Sequence, residues 1–522
     1  MQRHRFLLLL ILLAGAAIRF YGLGAKSLWF DEALSYRLLQ FPLGEMIART
    51  DDPRAVHPPL YFLALRVWSG IWGDSEFALR SLAAVCGVAA ILGTYFLMAE
   101  LSNVSRHDRP STGDPSAGTA ALLAAALIAF SALQIHASKQ VRGYSMATAL
   151  FIWSSWALLC ALRPRGRTAY FWGLYALLAL AVCYTHHIAV LSVLAQGTFG
   201  ATYLAVAWYS ECRGRSSAFT ARQTKYALLA AGVILLGFSP SASTLMRQAD
   251  TVRSSEISQT TVFDIPQSVF TGLLTTWAEP IPVGPLAVWS FFGILVLVLL
   301  LLAARGGWNA WYLVLTGLIP LILAFLFSAF SGRGIVRPRY LTIAQVSWLC
   351  SFAMVISRVP FRVERSILIC LSLGLSVYSI SNAWAVIGPS ATPGMREAVQ
   401  HILTRREPDE PIIARSPYVL FGASYYARGV TRPLLCVSES RTDFKHGSTH
   451  LRDDDFISPD DLSKITATGA WVLNTEAYEN PERFLCRMPP NWKLKERREF
   501  QQDYLWETPV IVEHYEIAPQ SD

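Results

Sequence analysis

Two adjacent carboxylates, Asp31 and Glu32, follow Trp29 and Phe30 in the run Lys26-Ser27-Leu28-Trp29-Phe30-Asp31-Glu32-Ala33, directly after the first apolar segment. A positioned carboxylate can take the proton of a hydroxyl as that hydroxyl attacks. Neighbours on a helix are turned about 100° apart, and on a strand they face opposite sides. Asp31 and Glu32 therefore cannot both enter one small site from a regular element. One can act while the other caps, pairs with a cation or meets water. A structural role is equally open, because Ser27 could cap a helix whose first turn favours acids.

Three further runs carry polar chemistry. In His57-Pro58-Pro59-Leu60-Tyr61 two prolines fix the backbone and remove two donors, as in an extended approach to a helix. A histidine held there could bond a phosphate or an acid, although a loop histidine is as readily only solvated. Ser138-Lys139-Gln140-Val141-Arg142-Gly143-Tyr144 and Gly332-Arg333-Gly334-Ile335-Val336-Arg337-Pro338-Arg339-Tyr340-Leu341 concentrate cations and tyrosines. If Pro338 opens a helix, Arg337 and Arg339 lie at its N-terminus, where free N–H groups and guanidinium forks suit an anion. Snorkelling to lipid headgroups is the alternative.

The elements that must position these residues are apolar helices. Of 522 residues, 53% are hydrophobic and 16% charged, and the mean hydropathy is +0.35. Apolar blocks recur near the ~20 residues a membrane-spanning helix needs. The chain is predicted to be a polytopic α-helical membrane protein of about 11 spans: one from the N-terminus to about Leu23, then 78–101, 118–136, 143–162, 169–186, 187–209, 226–246, 285–304, 310–331, 338–357 and 366–388. The first block also resembles a signal peptide with Ala14-Gly15-Ala16 as a cleavage site, but its apolar run continues past that point despite Arg19. Arg3 and Arg5 place the N-terminus in the cytoplasm, and each of the five loops then inside contains arginine. The cations at 139, 142, 333, 337 and 339 fall outside, against that rule, which for the arginine run 333–339 favours a phosphate site.

The region 24–77 forms a first outer loop with amphipathic pieces on the membrane face. Residues 1–388 make a transmembrane catalytic domain and 389–522 a small extracytoplasmic α/β domain. In the latter, strand-like runs (Pro411–Arg415, Pro433–Val437, Ala470–Leu473, Pro509–His514) alternate with helical pieces (Pro393–Thr404, Tyr418–Ala427). Thr392-Pro393 reads as a cap and first helical residue. The eight cysteines show no metal spacing; Cys436 and Cys486 could pair if the tail is extracytoplasmic. The net charge of +8 follows from loop arginines rather than from nucleic-acid binding, for which no motif is present.

Trp29-Phe30-Asp31-Glu32-Ala33, His57-Pro58-Pro59-Leu60-Tyr61, Gly73-Asp74-Ser75-Glu76-Phe77-Ala78-Leu79-Arg80, Arg142-Gly143-Tyr144 and Arg339-Tyr340-Leu341, in this order, resemble the GT-C membrane glycosyltransferases. Within these, the similarity is to bacterial relatives of the protein O-mannosyltransferases and of the aminoarabinose transferase that modifies lipid A (glycosyltransferase family 39-like). It covers the first 160 residues well and the rest thinly. The resemblance implies a polyprenyl-phosphate-linked sugar donor, no cofactor, and an active site outside the plasma (inner) membrane. The acceptor would be a glycan, a glycolipid or a protein. Asp31 matches the family's catalytic aspartate, with Glu32 a supporting acid and transfer occurring with inversion. Arg142, Arg337 and Arg339 would meet the donor phosphate, with His57, Tyr61, Tyr144 and Tyr340 shaping the substrate pocket. Relatives often carry an acid where this chain has Gln140, which makes a metal there less plausible; none is required by the other residues.

Two other readings remain open from sequence. A transporter or flippase of lipid-linked anions would use the same arginines, but the paired broken helices of a repeat are not visible. A catalytically silent membrane scaffold would act through the α/β tail.

Overall fold

A computed structural model of the chain describes residues 2–52, 55, 57–108, 115–163, 167–213, 219–251, 264–276, 284–331, 335–389, 394–436, 448–475, 486–503 and 507–518. In chain order the first helices are α1 (Gln2–Phe20), α2 (Phe30–Leu39), α3 (Leu43–Thr50), α4 (Leu60–Trp72), α5 (Glu76–Asp108), α6 (Pro115–Ala129), α7 (Ala132–Ser138), α8 (Tyr144–Ala161), α9 (Thr168–Thr185) and α10 (Ala189–Cys212). They are followed by α11 (Phe219–Thr251), α12 (Asp264–Leu274), α13 (Pro285–Arg305), α14 (Gly307–Ser331), α15 (Thr342–Ser357), α16 (Arg362–Asn382) and α17 (Trp384–Ile387). The chain forms two compact units. One comprises Met1–Tyr21, Val56–Leu63 and Arg80–Gly388; the other comprises Gly22–Ala55, Ala64–Leu79 and Pro389–Asp522. Most of the predicted first outer loop thus groups with the tail.

The first unit is a helical bundle. Among the described residues nine helices are long and apolar enough to cross a membrane, and ten if a bent pair counts as one span. Pro285 at the first turn of α13 and Gly307, at φ +64° as the first residue of α14, mark a start and a reversal where the sequence suits each. The predicted span 118–136 is not continuous: α6 and α7 meet at 58°. Ser131 restarts the helix, its Oγ accepting from the Gln134 N–H at 3.4 Å.

Arg19 accounts for how that break is tolerated. Its guanidinium is fully buried and donates to Ala129 O at 2.9 Å, Ile128 O at 3.1 Å and Ser138 Oγ at 3.2 Å. The last carbonyls of α6, orphaned by the bend, gain a donor where the bilayer interior offers no water. The arginine that interrupts the apolar pattern of α1 is therefore a structural clamp. With Arg3 and Arg5 it gives the 19-residue α1 three arginines, and α1, predicted as the first span, is not among the nine.

The second unit holds a six-stranded mixed sheet with α18 (Met395–Leu403), α19 (Pro417–Tyr426) and the short α20 (Pro459–Leu462). Its strands are β1 (Ile412–Ala414), β2 (Leu434–Cys436), β3 (Phe456–Ile457), β4 (Gly469–Thr475), β5 (Trp492–Phe500) and β6 (Val510–Ile517), in the order β3-β2-β1-β4-β6-β5. The β3–β2, β2–β1 and β1–β4 pairs are parallel, whereas β6 runs antiparallel to both β4 and β5. All four predicted strands and both predicted helices occur, with ends shifted by a few residues. The strand β5 escapes the pattern because Lys493, Lys495, Arg497 and Arg498 fill it; charge of this kind protects a sheet edge from further pairing. Cys436 on β2 is disulfide-bonded to Cys486, with Cα atoms 5.7 Å apart. The predicted cap at Thr392-Pro393 and the cation Arg333 lie outside the described residues.

Candidate active site

In the helical unit, the run from Ser138 to Tyr144 turns α7 into α8 and is almost wholly buried. Gly143 is closely packed: a Cβ there would lie 3.3 Å from the Thr185 carbonyl and 3.4 Å from Tyr61 Cβ. That close approach brings Tyr61, Tyr144 and the end of α9 together. Lys139 is committed to the backbone, its Nζ donating to Tyr21 O at 2.7 Å and Ile387 O at 2.6 Å. The cation that breaks the topology rule at 139 thus has a structural explanation. Gln140 is fully buried and its Nε2 lies 2.7 Å from His136 Nε2.

Arg142 is buried and its Nη2 bonds His57 Nε2. A guanidinium can only donate, so His57 accepts at Nε2 and carries the proton of its neutral ring on Nδ1. Burial, then Arg142, His186, His187 and Arg339, hold His57 well below the ordinary histidine range. The histidine that the sequence offers as a phosphate ligand is thus occupied as the partner that orients Arg142.

A small cavity opens beside this pair, with a volume of about 20 Å³, room for roughly one water-sized group. Tyr144, His186, Arg339 and Tyr340 supply much of its polar lining. The His186 ring lies 5.2 Å from those of His57 and Tyr144 and 5.7 Å from that of Tyr340. Arg339 sits in a 3-10 turn, Pro338–Leu341, that runs directly into α15, and its guanidinium lies 5.0 Å from the Tyr340 ring centre. Arg337 precedes the turn and is exposed, and it does not line the cavity. The structure therefore gathers His57, Tyr61, Arg142, Tyr144, Arg339 and Tyr340, and leaves Arg337 apart.

In the other unit, Asp31 and Glu32 occupy the first turn of α2. Glu32 is fully buried and its Oε2 accepts the Trp29 N–H at 3.4 Å, capping its own helix. Asp31 is partly exposed. The tail supplies the remaining surroundings. Asp503 Oδ2 accepts the Ser27 N–H at 2.8 Å, Tyr426 Oη accepts the Leu28 N–H at 2.8 Å, and Glu507 Oε1 accepts the Phe30 N–H at 3.3 Å. The Phe30 ring packs 4.4 Å from Tyr418 on α19. Arg396 clamps the same stretch through the Gly24 and Ala25 carbonyls and Glu76. Burial pushes the Glu507 carboxyl up to about 8, with Glu32, Asp503 and Asp31 adding to the shift. Among the described residues no group of three or more His, Cys, Asp and Glu side chains is placed to hold a metal ion.

Sequence reasoning missed His186, His187, Asp503 and Glu507. The histidine doublet had a signal, since two polar rings meet where one apolar run follows another with no loop between. Asp503 and Glu507 had none, because only the tertiary fold returns them to α2.

With this geometry in place, the fold has solved counterparts. ArnT from Cupriavidus metallidurans bound to undecaprenyl phosphate matches with a TM-score of 0.55 at 13% identity, over 97% of both chains. The same protein in its apo state matches with a TM-score of 0.56, again at 13% identity and 97% of both chains. An oligosaccharyltransferase from Archaeoglobus fulgidus matches at 0.48 and 12% identity, over 82% of this chain and 62% of that one. No family model and no curated protein matches the sequence. The chain shares the fold of that ArnT from end to end.

Proposed function

We propose that the protein transfers a sugar from a polyprenyl-phosphate-linked donor to an acceptor hydroxyl on the extracytoplasmic face of the plasma membrane. The acceptor is a glycan, a glycolipid or a protein. The observation that carries this reading is the end-to-end likeness to ArnT solved with undecaprenyl phosphate, joined to a cavity lined by Arg339 and His186, with the His57 ring of the buried Arg142–His57 pair 5.2 Å from that of His186. Asp31 is the general base. As the acceptor oxygen attacks C1 of the sugar, its proton passes to Asp31. The C1–O bond to phosphate breaks, and the electron pair remains on the leaving polyprenyl phosphate. The phosphate gains a negative charge in that step, so cations aimed at it stabilise the transition state more than the ground state. Arg142 and Arg339 supply that field, with Arg337 at its exposed margin. His57 fixes Arg142, and Tyr61, Tyr144 and Tyr340 shape the pocket. Glu32 holds the turn that presents Asp31. Attack opposite the leaving group gives inversion.

The N-terminus is cytoplasmic and residues 389–522 form the extracytoplasmic domain. The Cys436–Cys486 disulfide supports that sidedness, since such bonds persist in oxidising compartments. Mass spectrometry of lipid copurifying with the protein, followed by transfer assays with candidate acceptors, tests the reading. A polyprenyl-phosphate sugar and a glycosylated product are expected. Movement of a lipid-linked substrate across vesicles with no product would favour transport instead.

A further inference from the structure

His186 has no role assigned by the motifs, yet it is a buried polar group of the cavity wall. It follows directly on α9, is only 6% exposed and lines the cavity with Arg339, Tyr144 and Tyr340. Its Nδ1 accepts the Ile188 N–H at 3.3 Å. Neutral imidazole has one donor and one acceptor nitrogen, so the proton is on Nε2. That Nε2–H is buried and, among the described residues, has no hydrogen-bond partner. An unmatched buried donor costs free energy on the order of 1–3 kcal/mol, which a ligand oxygen would recover.

The backbone around the cavity favours the same kind of ligand. Three long helices begin at its wall: α8 at Tyr144, α10 at Ala189 and α15 at Thr342. The start of each helix is the positive end of its dipole; at α10 the Ile188, Ala189, Val190 and Leu191 N–H groups are already held by His186 Nδ1 and by the His186, His187 and Ile188 carbonyls. Arg339 adds a full positive charge. The volume of about 20 Å³ accommodates one oxygen rather than a sugar ring.

We infer that His186 donates its Nε2 proton to one non-bridging phosphate oxygen of the lipid-linked donor, in an anion pocket made by the starts of α8, α10 and α15 with Arg339. This rests on the donor class proposed above and adds the group that seats its phosphate. A neutral N–H donor complements the guanidinium: it fixes the position of one oxygen without adding charge. The bond strengthens as the phosphate passes from monoanion to dianion during transfer.

The full chain in detergent is titrated with undecaprenyl phosphate, with undecaprenol and with inorganic phosphate, using the native protein, His186→Leu and His186→Gln. Thermal unfolding of each variant verifies its fold. Undecaprenyl phosphate is expected to bind His186→Leu about ten- to a hundredfold more weakly than the native protein. His186→Gln, which keeps an N–H near the Nε2 position, should recover most of that loss, and undecaprenol binding should be equal in all three. In histidine-labelled native protein, the Nε2 resonance should shift on adding undecaprenyl phosphate, a response that a purely structural histidine would not give.

Equal binding of undecaprenyl phosphate to native and His186→Leu protein, or an unmoved Nε2 resonance, overturns the role of His186 and leaves the donor class standing. Preference for inorganic phosphate in a His186-dependent manner, with undecaprenyl phosphate bound no better than undecaprenol, keeps the anion pocket and overturns the donor class. Binding of neither phosphate overturns both.

Discussion

The two units solve opposite electrostatic problems. In the helical unit, the cavity region carries Arg142 and Arg339 beside histidines that burial and the arginines keep neutral. In the other unit, Asp31, Glu32, Asp503 and Glu507 crowd the start of α2, and one of the four is pushed toward its neutral acid form. The basic region keeps its charge because guanidinium resists deprotonation; the acidic one sheds part of its charge because a carboxyl can take a proton. The mechanical supports differ as well. The α6–α7 break is held by the buried Arg19, whereas the sheet of the second unit is tied by a disulfide. The proposed anion pocket and the proposed base would call for these different electrostatic surroundings.

Substitutions sharpen or break this contrast. The largest effect is expected from Cys436→Ser, since the bridged residues are 50 apart in sequence and closing such a loop is worth about 4 kcal/mol. The loss should appear in denaturant unfolding followed by signals of the second unit, and reductant should reproduce it. Arg142→Ala should lower transfer by about 10²–10³-fold, the range for removing one charge-stabilising donor from a transition state. His57→Ala should give a smaller loss in the same assay because it only loosens Arg142. An effect of His57→Ala equal to that of Arg142→Ala would assign His57 a direct role. Arg19→Met should cost about 2–3 kcal/mol by leaving the Ala129 and Ile128 carbonyls unmatched. Little change in thermal stability would show that the break does not depend on that clamp.

A pH dependence is also expected from Glu507. Its carboxyl is raised to about 8 in the folded chain, against 4.5 for a freely solvated glutamate. Between those values the folded state holds a proton that the unfolded state has released. Stability therefore falls as pH rises across the window, by at most about 1.4 kcal/mol per pH unit. Glu507→Gln should flatten that slope in thermal midpoints measured from about pH 5 to about pH 8. An unchanged slope would remove Glu507 as its source.

Much of this fold is legible in the sequence because a bilayer imposes length and polarity on each span. The runs ending near Ala161, Arg305 and Ser357 could be read directly. The break at 129–132 was not legible, since Ala-rich sequence on both sides supports a continuous helix and only the distant Arg19 reveals the bend. Strand β5 hides behind its lysines and arginines. At the candidate site, residues in ordered motifs were found, and Arg142, Tyr144, Arg339 and Tyr340 do assemble in one unit. Arg337 shares the sequence logic of Arg339, but one turn of chain leaves it exposed. Asp503 and Glu507 reach α2 from about 470 residues away, a distance no local pattern spans.

The most direct test of the central claim measures sugar transfer from a labelled polyprenyl-phosphate donor by native protein and by Asp31→Asn, alongside donor binding. The substitution keeps the size of the side chain and removes its basicity. The expected result is a transfer rate lowered by about 10²–10⁴-fold, with donor affinity and thermal stability unchanged. Transfer by Asp31→Asn at the native rate would contradict the assignment of Asp31 as the base.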